Sequence, residues 1–203
     1  MENVRLKNNF FFYEYIKNLK KILGTMIKDI RIQKKDIEIK TTQANLKGLL
    51  YFLKNHTLCL YKQLSEIICI DQPKNKLRFT IIYKLYSVHY QTHLYINVQT
   101  NEVISIPSVN LIYSSANWLE REVWDLFGIF FSEHIDLRRI LTDYGFQGHP
   151  LRKDFPLTGF FELYYNDSKK RIITEPVELT QEYRVFTFQD KLLTEKQSTD
   201  VKD

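Results

Sequence analysis

Three β-forming runs separated by turn chemistry constrain this chain most. Residues 67–70, 77–88 and 92–99 are rich in Ile, Tyr, Phe and Val. Such side chains suit a pleated, half-buried surface. Asp71-Gln72-Pro73-Lys74-Asn75 separates the first run from the second, and a turn near Tyr90-Gln91 separates the second from the third. Upstream, the stretch from Ile27 to Lys40, IKDIRIQKKDIEIK, alternates Ile with charge. That pattern suits strands with one wet face. The expected sheet is therefore antiparallel-rich.

Helical spacing frames these strands. In residues 10–23, Phe12, Ile16, Leu19 and Leu23 fall on one stripe beside Lys17, Lys20 and Lys21, and Gly24 is a natural stop. Thr41 or Thr42 can cap a second helix running through Asn55, with Leu46, Leu49, Leu50 and Leu53 as its buried side. Ser114 or Ser115 can cap a third, which Gly128 ends. Its apolar stripe is Leu119, Val123 and Leu126; Trp118, Glu122 and Asp125 share another side. Glu120 and Glu122 fall in or near the first turn, where carboxylates suit the helix dipole, and Arg121 with Asp125 forms a candidate i,i+4 pair. Periodicity then dissolves over residues 132–160, which three Gly and two Pro punctuate. An irregular stretch of that length in a compact domain carries a function. In the last forty residues Arg171 to Ile173 reads as one strand.

The fold reading is α+β. Residues 1–130 form a small mixed α/β domain with an antiparallel-rich sheet and flanking helices. Residues 131–203 form an extended, largely irregular C-terminal docking segment and tail.

Charge is uneven along the 203 residues. Residues 1–60 hold twelve Lys/Arg against five Asp/Glu, a balance of +7, and the remainder holds 17 against 19, a balance of −2. A basic end suits an anionic surface or simply a solvated one. Cys59 and Cys69 come without a CxxC or Cys/His cluster, so two thiols in a reducing compartment are expected, and no cysteine-held cluster. His89 and His93, four apart in a strand or hairpin, do not converge on a metal. No apolar run approaches the roughly 18 residues of a membrane span. Phe10-Phe11-Phe12 is too short for a signal-peptide core, and Glu2, Glu14 and the shortage of Arg argue against an import signal.

The chemistry-bearing residues concentrate in LEREVWDLFG, Leu119 to Gly128, which with Trp118 holds both tryptophans of the chain. Glu122 and Asp125, three apart on a helix, can converge as an acid–base pair, but no nucleophile elbow, metal set or cleft motif accompanies them. Salt bridges to Arg121, Arg138 or Arg139 are the plainer role. No GxGxxG or Walker loop is present; Gly145-Phe146-Gln147-Gly148 lacks a βαβ context. No RNA-binding motif accompanies the basic, aromatic N-terminal residues, so nucleic acid is not an expected partner. Trp and Arg are enriched at protein–protein hot spots, and the residues alone give a scaffold with a docking segment.

Three longer stretches carry a resemblance. Ser115 to Ile129 (SANWLEREVWDLFGI), Leu137 to Phe146 (LRRILTDYGF) and Gly148 to Gly159 (GHPLRKDFPLTG) resemble the 30 kDa subunit family of respiratory complex I, the NADH:ubiquinone oxidoreductase. The likeness runs from Pro107 to Glu182, including Glu175-Pro176-Val177-Glu178-Leu179-Thr180. Before that only the order of elements and RFTIIYKLYS, Arg78 to Ser87, look similar. The chain departs from the pattern at His134-Ile135-Asp136, where the family often has His-Pro-Asp, and at Phe188-Gln189-Asp190, where Ser-Pro-Trp is usual.

The resemblance implies a core subunit of the peripheral arm that supports the quinone-reducing module in electron transfer from NADH to ubiquinone, coupled to proton pumping. It implies no catalytic residue, cofactor or metal in this chain; FMN and iron–sulfur clusters would sit on other subunits. Expected partners are other complex I subunits, chiefly the large quinone-module subunit and neighbours of the terminal iron–sulfur subunit, with the chain peripheral to the membrane. Trp118, Glu120, Arg121, Glu122, Trp124 and Asp125 become structural or docking residues, and Arg138, Arg139, His149, Arg152, Lys153 and Asp154 would help the loop grip its partner. The heavy use of Lys, Ile, Asn, Phe and Tyr suits an AT-rich genome and points to the matrix side of the mitochondrial inner membrane, with the cytoplasmic side of a bacterial plasma membrane as the alternative. Other readings are the same scaffold in a membrane-bound hydrogenase or ferredoxin-type complex, and a free-standing acid/base enzyme using Glu122 and Asp125.

Overall fold

A computed structural model of the chain describes residues 15–33, 36–182 and 184. The described residues divide into two compact units, one up to residue 157 and one from residue 158. The first unit thus runs past the expected boundary at 130/131. Residues 131–157 belong to it because side-chain hydrogen bonds, rather than periodic backbone structure, fasten them there.

In the first unit, α1 (residues 15–22) leads to a hairpin of β1 (Ile27–Gln33) and β2 (Asp36–Thr41). Then come α2 (Gln43–Asn55) and three long strands, β3 (Gln63–Asp71), β4 (Phe79–Ser87) and β5 (Thr92–Thr100). The five strands make one sheet in the order β1-β2-β5-β4-β3. Every pairing is antiparallel except β2 with β5, which is parallel and sets Ile37 beside Leu94. A parallel pair needs a crossover, here α2 with the β3–β4 hairpin. β3 extends four residues before and one beyond the expected run because its pairing with β4 continues to Gln63, and β4 falls within the expected run.

One sheet face is apolar. Ile37 and Ile39 of β2, Phe79, Ile81, Tyr83 and Leu85 of β4, and Leu94, Ile96 and Val98 of β5 are all buried. They alternate with side chains of the opposite face, the period of two that a one-sided sheet requires. The core is completed by Ile16, Leu19 and Leu23, and by the four expected leucines of α2, which are fully buried. Phe12 lies outside the described residues. The expected cap of α2 is present in position only: Thr42 is extended at the N-cap but makes no side-chain cap bond. The Thr41 hydroxyl instead donates to the Met26 carbonyl at 2.7 Å, tying α2 to the start of β1. Both cysteines are free thiols. Burial pushes Cys59 up, and it pushes Cys69 up to about 12, with the Asp71 carboxylate adding to it. Raised thiols of this kind carry little thiolate at neutral pH.

β6 (Ile106–Pro107) pairs in parallel with β7 (Phe131–Ser132), and α3 (Ala116–Phe127) lies between them in sequence. In the second unit β8 (Phe161–Asn166) and β9 (Arg171–Pro176) form an antiparallel ribbon. β9 extends the strand expected at 171–173. β8 is not among the strands expected from the sequence, although FELYYN sets Phe161, Leu163 and Tyr165 on one face and Glu162, Tyr164 and Asn166 on the other. The Asn166 side chain, accepting from the Lys169 N–H at 2.9 Å, sets the turn.

Candidate functional site

α3 and the loop after it bring together most of the residues singled out above. Ser115 sits at the N-cap without capping; its hydroxyl donates to the Leu64 carbonyl of β3 at 3.1 Å. At the other end Gly128 adopts φ 74°, and its N–H donates to the Trp124 carbonyl at 2.9 Å. A Cβ there would come within 2.5 Å of the His149 ring and 2.6 Å of the Arg152 guanidinium, so both the turn and the packed loop demand glycine.

The helix buries Ala116 and Val123, but it also buries Glu120, Arg121 and Asp125. The expected stripe is only partly realised: Leu119 packs against the core, Val123 lies in it, and Leu126 is half-buried. A charge taken out of water costs several kcal/mol unless it is bonded, so each of the three needs partners.

Glu120 accepts from the Ser108 hydroxyl at 2.6 Å and the Val109 N–H at 2.7 Å, which fastens the chain after β6 to the helix. His134 Nε2 approaches Glu120 to 3.7 Å and lies 3.2 Å from the Asn117 carbonyl. The Asp136 N–H donates to His134 Nδ1 at 3.1 Å, so the imidazole still makes the turn that a His-Pro-Asp sequence would stiffen. Glu120 is therefore not a helix-dipole carboxylate: it lies past the first turn and points inward. Burial pushes its carboxyl up, against the two donors.

Asp125 is the centre of the loop. Oδ2 accepts from the backbone N–H groups of Ile140, Leu141 and Thr142 at 3.1, 2.7 and 2.9 Å. Oδ1 accepts from the Thr142 hydroxyl at 2.7 Å and from Arg139 Nη1 at 3.1 Å. Burial alone would raise this carboxyl; the donors from Thr142, Leu141 and Ile140 outweigh it and bring it down to about 2. The expected Arg121–Asp125 pair does not form, because Asp125 turns to these donors. Arg121 Nε donates to the Arg138 carbonyl at 3.3 Å, and its guanidinium lies 5.1 Å from the Trp118 ring centre. Glu122 is half-buried and makes no bond to Asp125, whose two oxygens are already engaged by five donors. The geometry does not supply an acid–base pair.

The last carbonyls of a helix lack intrahelical partners, and here the loop supplies them. His149 Nδ1 lies 2.9 Å from the Asp125 carbonyl, the Leu151 N–H donates to Leu126 at 3.1 Å, and Arg152 Nε donates to Phe127 at 2.6 Å. A cation at a helix C-terminus also suits the dipole. Burial pushes the His149 ring down from its ordinary value. The loop's end is held by Arg78 of the β3–β4 connection. That guanidinium forks onto Asp71 at 2.7 and 2.8 Å and reaches Asp154 at 2.8 Å and Glu102 at 2.8 Å. The Lys153 N–H adds a bond to Asp71 at 2.7 Å. The Arg78 guanidinium holds the Asp71 and Asp154 carboxyls below their ordinary values.

Of the residues expected at the loop, Arg139, His149, Arg152 and Asp154 thus make bonds within the chain. Arg138 is exposed and pairs with Asp136 at 3.0 Å. Trp124 packs edge-on against Phe130. Among what the same region leaves to solvent are large apolar side chains: Trp118 is 65 % exposed, Leu141 59 %, Ile135 75 %, and Tyr144 is fully exposed. Residue type alone does not separate Leu141 from Ile140, so no signal in the sequence marks the exposed members. The β8–β9 ribbon likewise exposes Phe161, Leu163, Tyr165 and Ile172. Among the described residues no helix is long and apolar enough to cross a membrane.

The sheet and helices define an α+β fold that recurs in solved structures. It superimposes on a chain of an archaeal membrane-bound sulfane sulfur reductase with a TM-score of 0.60 at 23 % identity, covering 71 % of this chain and 86 % of that one. A trypsin-resistant fragment of Nqo5 gives a TM-score of 0.52 at 24 % identity, covering 62 % and 99 %. The family profile for the 30 kDa subunit of respiratory-chain NADH dehydrogenase matches residues 39–161, and the chain belongs to that family. It is 46 % identical to NADH-ubiquinone oxidoreductase subunit 9 of Reclinomonas americana over 90 % of this chain and 89 % of that protein. It is 53 % identical to the protein of the same name from Prototheca wickerhamii over 71 % and 75 %.

Proposed function

We propose that this chain is a scaffold subunit, without a cofactor of its own, in the peripheral arm of an NADH:ubiquinone oxidoreductase on the matrix side of the mitochondrial inner membrane. Its partner is the large quinone-module subunit, beside the subunit that holds the terminal iron–sulfur cluster. FMN and the clusters belong to other chains. Family membership supports the complex. One structural observation supports the scaffold role: α3 buries Glu120, Arg121 and Asp125 in bonds within the chain, while Trp118, Leu141 and Tyr144 face solvent. Charges that already have partners fix a surface, and aromatic side chains on a fixed surface bind with little loss of freedom. The residues expected as docking groups therefore divide. Glu120, Arg121, Asp125, Arg139, His149, Arg152 and Asp154 shape the loop. Trp118, Glu122, Trp124, Arg138 and Lys153 are left as groups for the partner.

Mild-detergent purification of the tagged chain from its native membranes tests this reading. The expected product is a large complex containing flavin and iron–sulfur clusters, with inhibitor-sensitive NADH:quinone activity. Recovery as a free soluble chain would refute the proposal. Trp118→Glu and Tyr144→Glu should each lower the amount of assembled complex at least several-fold while leaving the rate per assembled complex unchanged; normal assembly with a lower rate would refute the docking role.

A further inference from the structure

The sheet face opposite the core offers a second surface, independent of α3 and its loop. Here the side chains between the buried positions of β2, β5, β4 and β3 line a recess of about 510 Å³. The recess is open to solvent along the sheet face. Its two ends differ in chemistry. Ile70, Ile82, Leu77 and Ile104 form an apolar end, and Lys28 and Lys40 stand at the other. Between them run amides and hydroxyls, among them Gln43, Gln99 and Thr80. Neither lysine makes an ion pair among the described residues. The one acid in the lining, Glu38, is already engaged by the Asn97 side chain.

We infer that this recess is a docking site for an acidic, extended segment of a neighbouring subunit, which places an apolar side chain against Ile70 and Ile82 and a carboxylate between Lys28 and Lys40. Charge complementarity selects the occupant. Two unpaired ammonium groups beside an amide-lined floor suit a peptide, whose carboxylate pairs with the lysines and whose backbone pairs with the amides. The Lys28–Lys40 end also lies within the basic first sixty residues, where charge would steer an acidic partner before contact.

The inference rests on the subunit reading, and one experiment separates them. The purified complex and the isolated chain are treated in parallel with an amine-acetylating reagent, and lysine labelling is read by mass spectrometry. Lys28 and Lys40 should be protected at least five-fold in the complex relative to the isolated chain, while the exposed Lys62 should label alike in both. Zero-length carboxyl-to-amine coupling of the complex should then join Lys28 or Lys40 to an Asp or Glu of another subunit. The double variant K28E/K40E should abolish that product. Equal labelling of both lysines in complex and free chain would overturn the inference while leaving the subunit reading intact; absence of the chain from any complex would overturn the subunit reading. Protection by vesicles rich in anionic lipid, without a protein cross-link, would also overturn it in favour of a membrane contact.

Discussion

Asp125→Asn is the most informative single change, because it replaces one oxygen and keeps the shape. The three backbone donors of residues 140–142 converge on Oδ2. The carbonyl oxygen of an asparagine therefore takes that position, and its NH2 faces the Thr142 hydroxyl and Arg139. The hydroxyl can turn and accept; the guanidinium cannot, and it loses its counter-charge. The depression of the carboxyl to about 2 corresponds to roughly 2–3 kcal/mol of stability at neutral pH. Leaving Arg139 against a donor adds to this, so the total loss should be about 3–5 kcal/mol. The sign in pH follows from a folded value below the unfolded one: the contribution is complete above about pH 4 and fades as pH falls toward 2. Urea unfolding of the purified chain between pH 3 and 7 reads the effect. The parent should lose stability over that lower range, and the variant should start lower and lose less. Limited proteolysis should cut the variant first between residues 138 and 146. A variant within about 0.5 kcal/mol of the parent at neutral pH, the range of an inconsequential surface change, would show that the carboxylate does not hold the loop. An unchanged cleavage pattern would show the same.

Glu120→Gln should behave oppositely. Burial already disfavours its charge, and a glutamine can accept from Val109 and donate to Ser108, so thermal unfolding should shift by the equivalent of less than about 1 kcal/mol. Arg78→Ala should cost about 3–5 kcal/mol in urea unfolding, since it strands the buried Asp71 carboxylate, and Arg78→Lys should recover under half of that because it cannot fork. Gly128→Ala should cost more than about 1 kcal/mol, the ordinary strain of a left-handed residue, because its Cβ also meets His149; equal loss at the open Gly145, whose φ is also positive, would refute the contact argument. Leu49→Ala, at a fully buried position of α2, should cost about 2–5 kcal/mol by the same measurement.

The regular elements were legible because their causes are local. The leucines of α2 repeat at helical spacing, and Ile37, Ile39, Ile81 and Ile96 alternate at strand spacing, so their burial follows from a few neighbouring residues. The site was legible in place and not in wiring. EREVWDLFG announced a helix dense in charge, and the offered partner Arg139 does pair with Asp125, but three of the carboxylate's five donors are backbone N–H groups at 140–142, which any residue type supplies. Composition therefore carries no trace of them, and the i,i+4 rule offered Arg121 instead. The loop read as extended for the same reason: its bonds are single, non-periodic and long-range. Arg78, which holds the loop's far end, stands in the sequence only as part of a strand run.

The parallel pairing of β2 with β5 has a consequence for how the chain is made. The strand that completes the sheet's centre is the last of the five to leave the ribosome. Until Leu94 arrives beside Ile37, the β1–β2 hairpin has a bare edge and an isoleucine row with no sheet to join. Loops that close late form slowly, and unpaired strand edges invite wrong neighbours. Synthesis therefore has a vulnerable interval between the emergence of residue 41 and that of residue 100, and a pause there should favour aggregation over completion.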